Sequence, residues 1–349
     1  MSPASISDQA AIVSVLAKGS NDQFLESLYR LLLRRAPDPV GLAQHLAGLR
    51  AGRSRLEVVD AFLNCPEFRR RLAAGPEYVP PGHFYSPIAS RADVERHRDF
   101  DWDRPALPAI DPRIDDQVRL LERFRVLYPT LPFTAEPQPG FRYHYVNPTY
   151  SYGDAIMTYC MVRDARPRRI IEVGSGHSSC LILDTNDRFF QGQIECLFMD
   201  PHPEYVQSLL GPAETARTTI IPSRLQDADP ALFDRLEAND ILFIDSTHVS
   251  KLNSDVNRYI FEILPRLSPG VLIHFHDVAW PFEYPLAWLE EGRAWNEQYL
   301  LRAFLMYNDH FHIRLFTTLM YRFHGAWFDQ HMPLCLVDAG GSLWIQKVQ

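Results

Sequence analysis

The sequence predicts an α/β fold: a mostly parallel sheet covered by helices on both faces, with a small all-helical domain ahead of it. Three observations predict it. From about residue 154 onward, short apolar runs alternate with segments long enough for helices, and such alternation implies a parallel sheet buried on both faces. The run RRIIEVGSGHSSCLIL, Arg168 to Leu183, passes from a buried-looking strand through a Gly-Ser-Gly turn into a helical stretch. Residues about 20–75 repeat apolar side chains at helical spacing instead.

Bulk properties bound the partners. The 349 residues suffice for one large domain or two smaller ones. With 46% hydrophobic and 22% charged residues the composition is that of an ordinary globular protein. A formal net charge of -8 argues against a nucleic-acid partner. No apolar run approaches the roughly 18 residues of a membrane span. The start, MSPASISDQAAIVSVLAKGS, lacks a basic stretch followed by an apolar core, so no secretory signal is expected. Cys65, Cys160, Cys180, Cys196 and Cys335 form no C-x-x-C pair, which suits free thiols in a reducing cytoplasm and argues against structural zinc.

The expected domains are 1–75, a connector with a helix over 76–135, and 136–349. In the first, Phe24, Leu28, Leu31 and Leu32 recur at helical spacing. Asp38 is an N-cap with Pro39 at the first helical position, and Ser54 with Glu57 forms a capping box before Val58, Val59, Phe62 and Leu63. Cys65-Pro66-Glu67-Phe68 reads as a further helix start. The block holds no clustered acid, His or Cys set, which points to docking or scaffolding. Its stretch LYRLLLRRAPDPVGLAQHLAGLRAGRSRLEVVDAFLNCPEF resembles the phycobilisome-linker-like helical domain of unknown function, which commonly has Ser where Cys65 stands. That resemblance implies a setting among surface-glycan enzymes, and a protein or glycan partner. PEYVPPGHFYSP and DRPALPAIDP mark the irregular connector, with a helix near Ile114–Leu127.

Strands are expected at Arg169–Val173, Ile194–Met199, Thr218–Ile221, Asp240–Ile244 and Val271–Phe275, with helices over PEYVQSLL and LNSDVNRYIFEILPRL. HIRLFTT and GGSLWIQKV add two late strands joined by a long excursion. A parallel sheet closed by a late antiparallel pair fits the methyltransferase variant of the Rossmann theme better than a dehydrogenase.

Ligands of open α/β sheets sit beyond the carboxyl ends of the strands. Gly174 and Gly176 let the backbone approach a ligand closely, and the next helix, beginning near His177–Ser179, aims its amides at it. The Glu172 carboxylate would repel a pyrophosphate but suits a cationic ligand, such as the amino group of S-adenosylmethionine (SAM). Asp200, ending the strand ECLFMD, can accept hydrogen bonds from ribose hydroxyls. Ser179 stands where the dinucleotide fingerprint wants glycine, which disfavours NAD, and no Gly-Lys-Ser/Thr follows to make a P-loop.

YVNPTYSYGDAIMTYCMVRDARPRRIIEVGSGHSS, together with FIDSTHVSKLNSDVNRYIFEILPRLSPGVLIHFHDV, resembles the class I SAM-dependent methyltransferases, within them the small-molecule and sugar O-methyltransferase-like group. The resemblance spans about residues 140–280. It implies that Glu172, Gly174, Ser175 and Gly176 line the methionine part of SAM and that Asp200 holds the ribose. By position, it places Leu225, Gln226 and Asp227 against the adenine.

Two acidic turns, Asp245-Ser246-Thr247-His248 and His276-Asp277, should open on the same edge as the glycine turn. Asp245, His276 and Asp277 are donors of the kind divalent metals accept. In metal-dependent O-methyltransferases, acids after these two strands hold Mg²⁺ or a similar ion, which lowers the acceptor hydroxyl's pKa. That family often reads Asp-Gly-x-His where this chain has Asp245-Ser246-Thr247-His248. Asp245 has two other readings: capping the next segment, or touching SAM with no metal present. His248 reads as a general base or as a hydrogen-bonding loop residue. His274 reads as a satisfied strand histidine on the same face as His276 but deeper. Trp280, Phe282, Tyr284, Trp288, Trp295 and Tyr299 are either an acceptor wall for a sugar or aromatic ring, or the cover of the sheet edge. Tyr150, Tyr152 and Asp154 are placed to cover SAM from the other side.

The expected protein is a cytoplasmic SAM-dependent O-methyltransferase with a small-molecule or saccharide acceptor, assisted by Mg²⁺ or another divalent metal. His248 and Asp277 would be catalytic, and Gln226 and Asp245 would join the cofactor set. Two rival readings are a non-catalytic scaffold in glycan assembly and a metal-dependent oxygenase akin to the cephalosporin hydroxylase-like proteins.

Overall fold

A computed structural model describes residues 19–33, 35–69 and 78–349. The reading of the first residues as carrying no secretory signal, and the border expected at residue 75, fall outside the described residues. The chain divides into two compact units, Met1–Ile88 and Ala89–Gln349. The connector segment from Ala89 onward thus belongs to the second unit, where Leu107 and Ile110 enter the core.

Among its described residues the first unit holds the helices α1 (Asn21–Leu28), α2 (Pro39–Arg50) and α3 (Arg55–Asn64). Each starts at a side-chain cap, from Ser20, Asp38 and Ser54, and Ser54 and Glu57 make the reciprocal capping box. The apolar spacing does the rest. Phe24, Leu25, Leu28 and Leu32 bury against Val58, Val59 and Phe62, and full burial of such a side chain contributes about 1.5–3 kcal/mol.

The second unit is an α/β domain. Its strands are β1 (Arg169–Val173), β2 (Glu195–Met199), β3 (Thr219–Ile221), β4 (Ile241–Ile244), β5 (Leu272–His276), β6 (Phe311–Phe316) and β7 (Ser342–Lys347). They form a sheet of order β3-β2-β1-β4-β5-β7-β6. β1 to β5 pair in parallel, and β7 runs antiparallel to both β5 and β6. The sheet is therefore mostly parallel with one late antiparallel strand, as expected for a Rossmann-like methyltransferase.

Side-chain alternation assigns the two faces. Ile171, Val173, Leu242, Ile244, Ile273 and Phe275 point to one, where they meet the helical run that starts as α8 (Asp255–Arg258) and continues to Arg266. Ile170, Ile241, Phe243, Leu272 and Trp344 point to the other, under α4 (Ile114–Leu127), α5 (Tyr152–Ala165), α6 (His177–Phe190) and α7 (Glu204–Leu210). Glu172, His274 and His276 share this second parity. All five thiols are free. No helix among the described residues is long and apolar enough to cross a membrane. β1 pairs with β2 on one side and β4 on the other; strand order reverses there, and a crevice opens beyond the carboxyl ends.

Candidate active site

Backbone hydrogen bonds run past the strand ends and fix this crevice. Gly174 N–H donates to Met199 O at 2.9 Å and Asp245 N–H to Val173 O at 2.9 Å. Gly174 has φ +87°, and a Cβ there would lie 1.9 Å from the Asp245 carbonyl oxygen. Only glycine fits. Gly176 is under no such demand, because its φ is extended and a Cβ would make ordinary contact with Tyr205.

The side chains of the turn are tied to one another. Ser175 Oγ donates to Asp200 Oδ2 at 2.8 Å, and the other Asp200 oxygen accepts from His202 N–H at 2.7 Å. Glu172 is fully buried beneath the turn and accepts from Ser178 Oγ at 2.5 Å and Ser179 Oγ at 2.8 Å. Ser179 also receives the Gly176 N–H. Burial pushes the Glu172 carboxyl up to about 8, against the pull of the two hydroxyls. The residue expected to greet a cation thus braces the start of α6, and Ser179, read only as a departure from a fingerprint, is its partner.

A cleft of about 280 Å³ lies over this edge, lined by Gly174, Met199, Asp200, Leu225, Gln226 and Asp245 among others. Gln226 Nε2 donates to Asn253 O at 3.0 Å. Asp227, the third residue placed near adenine, is turned to the surface in an ion pair with Arg224. Asp255 also lines the cleft; buried, it accepts from Thr247 N–H at 3.0 Å and Thr247 Oγ1 at 2.7 Å and so shapes the β4 turn. Sequence reading passed over Asp255. Its one local signal was a place in the first turn of α8, behind the Ser254 cap.

Beside the cleft, carboxylates and imidazoles alternate. His248 Nε2 stands 3.6 Å from Asp245 Oδ1 and 3.9 Å from Asp277 Oδ2. Its Nδ1 lies 2.7 Å from Glu297 Oε2. His276 Nε2 is 3.7 Å from Asp277 Oδ1, and its Nδ1 is 3.9 Å from Asp154 Oδ2. His248 and Asp277 both hold left-handed backbones, φ +59° and +55°, a strain of about 1–2 kcal/mol each that the surroundings must sustain.

The charges answer one another. Burial alone would lower His248, but hydrogen bonds and charge from Asp245 and Glu297 outweigh it and hold the imidazole up to about 10. His276 is raised in the same sense, burial being overcome by Asp245, Asp277 and Asp154. Burial would raise Asp245, yet His276 and His248 bring it below the usual carboxylate range. Asp154 rises to about 6, chiefly by burial. His274 is fully buried, stacked 3.9 Å from Phe243 and 4.6 Å from Trp344, with no hydrogen-bond partner for either ring nitrogen among the described residues. The strand position holds as read. Stacking, not hydrogen bonding, accommodates the ring, and burial holds it neutral.

The structure draws the three residues read as metal ligands, Asp245, His276 and Asp277, into one neighbourhood. It does not make them a ligand set. Among the described residues no three His, Cys, Asp or Glu side chains are grouped as a metal ion requires, and the carboxylates stand next to imidazoles instead.

The aromatic segment divides in two. Trp280, Phe282 and Tyr284 are buried and act as cover, with Trp280 packed on Phe316. Trp288 and Trp295 are half-buried, 5.2 Å apart, with the Arg293 guanidinium 4.8 Å from each ring. Trp295 lies 4.3 Å from the His248 ring. Tyr150 and Asp154 are placed under His276 on the α5 side of the sheet, not over the glycine turn; Tyr152 stacks on Tyr145.

Residues 171–278 match the family model of a methyltransferase domain, and residues 9–72 match that of a domain of unknown function, DUF4214. The matched stretch 171–278 runs from β1 to just past β5 of the sheet described above. An uncharacterized protein of Archaeoglobus fulgidus is 30% identical over 169 residues, covering 46% of this chain and 75% of that protein. The chain belongs to the same family as that archaeal protein. Among solved structures, an SAH-bound methyltransferase of Podospora anserina is 15% identical, with coverage of 79% of this chain and 100% of that one and a TM-score of 0.36. A DUF574-family protein from Streptomyces avermitilis is 15% identical, with 56% and 80% coverage and a TM-score of 0.35. The N-terminal domain of EvdMO1, crystallised in the presence of SAH and D-fucose, is 13% identical, with 70% and 100% coverage and a TM-score of 0.32.

Proposed function

We propose that this chain transfers a methyl group from SAM to a hydroxyl oxygen of a small-molecule or saccharide acceptor. The observation that carries the reading is the shared cleft edge: Gly174, Asp200, Gln226 and Asp245 line one cleft, and His248 faces Asp245 and Asp277 beside it. The donors fit the cofactor. Asp200, fixed by Ser175 and His202, keeps lone pairs for a ribose diol. Met199 and Leu225 give apolar walls for a base, and the cleft-facing Asp245, 33% exposed, offers negative charge to a cation.

When bound, SAM supplies a methyl group already activated on a sulfonium, so the protein's part is alignment and removal of the acceptor proton. Asp245 holds the cationic end. His248 Nε2 takes the hydroxyl proton, and Asp277 orients the hydroxyl and stabilises the resulting imidazolium. His248 is held charged by its carboxylates at neutral pH. A second positive charge in the cleft disfavours the imidazolium, so loading a sulfonium drives His248 toward the neutral form that accepts a proton. The half-buried faces of Trp288 and Trp295 next to His248 suit an acceptor ring with apolar faces, as in a sugar or an aryl group.

Titration calorimetry with SAM and with SAH is the direct test. Saturable binding of both, weakened in Asp200→Ala, is expected; no binding of either to the folded wild-type chain would overturn the reading.

A further inference from the structure

Glu297 opens α9 (Glu297–Leu305), 49 residues beyond His248 and outside both acidic turns. The start of this helix is clamped to the loop after β4. The N–H groups of Asn296 and Glu297 both donate to the His248 carbonyl, at 3.1 and 3.2 Å. The Asn296 side chain accepts from Ser250 N–H at 2.6 Å and donates to Ser250 O at 3.1 Å. These four bonds hold His248 in its left-handed conformation, which no glycine is present to relieve.

The Glu297 side chain completes the clamp. It is 1% exposed, and both oxygens are engaged: Oε2 by His248 Nδ1 at 2.7 Å, Oε1 by the Tyr259 hydroxyl. A carboxylate this buried persists only with such partners. An ionised carboxylate only accepts hydrogen bonds, so the proton in the 2.7 Å contact belongs to Nδ1. In the neutral ring Nε2 is then the free acceptor, and Nε2 is the nitrogen that faces Asp245 and Asp277.

We propose that Glu297, braced by Tyr259, is the positioning residue for His248: it fixes the Nδ1–H tautomer and the ring plane, leaving Nε2 to take the acceptor's proton. In that step the hydroxyl O–H bond breaks and an Nε2–H bond forms. The oxygen's electron pair would form the bond to the methyl carbon as the methyl C–S bond of SAM breaks, its electrons staying on sulfur so that SAH leaves, and the imidazolium formed faces the Glu297 carboxylate. The proton later leaves Nε2 for solvent. The purpose assigned to the tautomer rests on the methyl-transfer reading; the tautomer itself does not.

Proton NMR of the full chain with ¹⁵N-labelled histidine rings tests it. A downfield, exchange-protected Nδ1 proton is expected in the wild type, assigned by its absence in His248→Gln. Glu297→Gln should abolish it while SAM affinity of the folded protein stays near wild type. Tyr259→Phe should shift it and leave it present, which keeps the test decisive if Glu297→Gln does not fold. SAH release with an acceptor-containing extract should fall about 10²–10⁴-fold in Glu297→Gln, as for a base in the wrong tautomer, and recover in part in Glu297→Asp. A resonance unmoved by both Glu297→Gln and Tyr259→Phe overturns the proposal, whether or not SAM binds. Failure of the methyl-transfer reading would appear separately, as absent SAM binding in the wild type.

Discussion

The turns after β1 and β4 stand side by side on one sheet edge, yet their carboxylates are held in different ways. Glu172 meets only hydroxyls and a helix start, and burial carries it up to about 8. Asp245 meets His248 and His276, and it is held below the usual carboxylate range. Hydroxyls satisfy lone pairs without supplying charge, whereas imidazolium supplies charge and so keeps its neighbour ionised. On the proposed reading, the β1 side is scaffolding for the cofactor, with its acid spent on packing, and the β4–β5 side keeps the charges that chemistry at a hydroxyl needs.

Substitutions on each side can break that contrast. His248→Ala should have the largest effect, a fall of about 10²–10⁴-fold in SAH release with little change in SAM affinity; equal losses in both would put His248 on the cofactor side. Gly174→Ala should cost on the order of 3 kcal/mol of stability, because strain and a backbone clash coincide, and chemical denaturation measures it directly. Asp200→Ala should weaken SAM by roughly 1.5–3 kcal/mol, about 10- to 160-fold, through loss of charged hydrogen bonds, as read by calorimetry.

Glu172→Gln sharpens the contrast through pH. The folded state keeps the Glu172 proton up to about 8, while the unfolded chain releases it near 4.3. The folded state then holds more protons across that window, so stability is full below it and falls as pH rises through it. In Glu172→Gln this slope should flatten in melting curves taken across the window; an unchanged slope would mean that Glu172 is ionised throughout. The smallest expected effect is that of a chelator, which should leave SAH release unchanged, since the acids of the β4–β5 side are matched to imidazoles and not grouped for a metal.

Features written into adjacent residues were legible in advance. The strand runs, the Asp38 and Ser54 caps, the glycine turn and the two acidic turns all announce themselves within a few positions, since period, cap and turn chemistry are local. What escaped was every partner brought by tertiary packing. Glu297 carries no motif, and only the docking of α9 brings it to His248. Asp154 reaches His276 from the first turn of α5, where Gly341 N–H holds it at 3.2 Å and a Cβ on Gly340 would fall 1.8 Å from its carboxyl. Glu172 was found without its hydroxyl partners: parity along β1 turns it beneath the glycine turn, toward Ser178 and Ser179 of α6, and a repeat of two residues does not say which side chains it will meet.

β7 lies between β5 and β6, and among the described residues β6 pairs with no other strand. This ordering bears on synthesis. A chain leaving the ribosome presents β1 to β5 ready to assemble, and then β6, which has nothing to join until residues 342–347 emerge. Through that interval the free edge of β5 displays unpaired backbone groups along an apolar strand, the kind of surface that recruits other chains. At elongation rates of about 5–20 residues per second, the exposure lasts on the order of seconds. Holdase chaperones, or slowed translation past the β6 codons, would therefore act on this protein most strongly between β6 and β7.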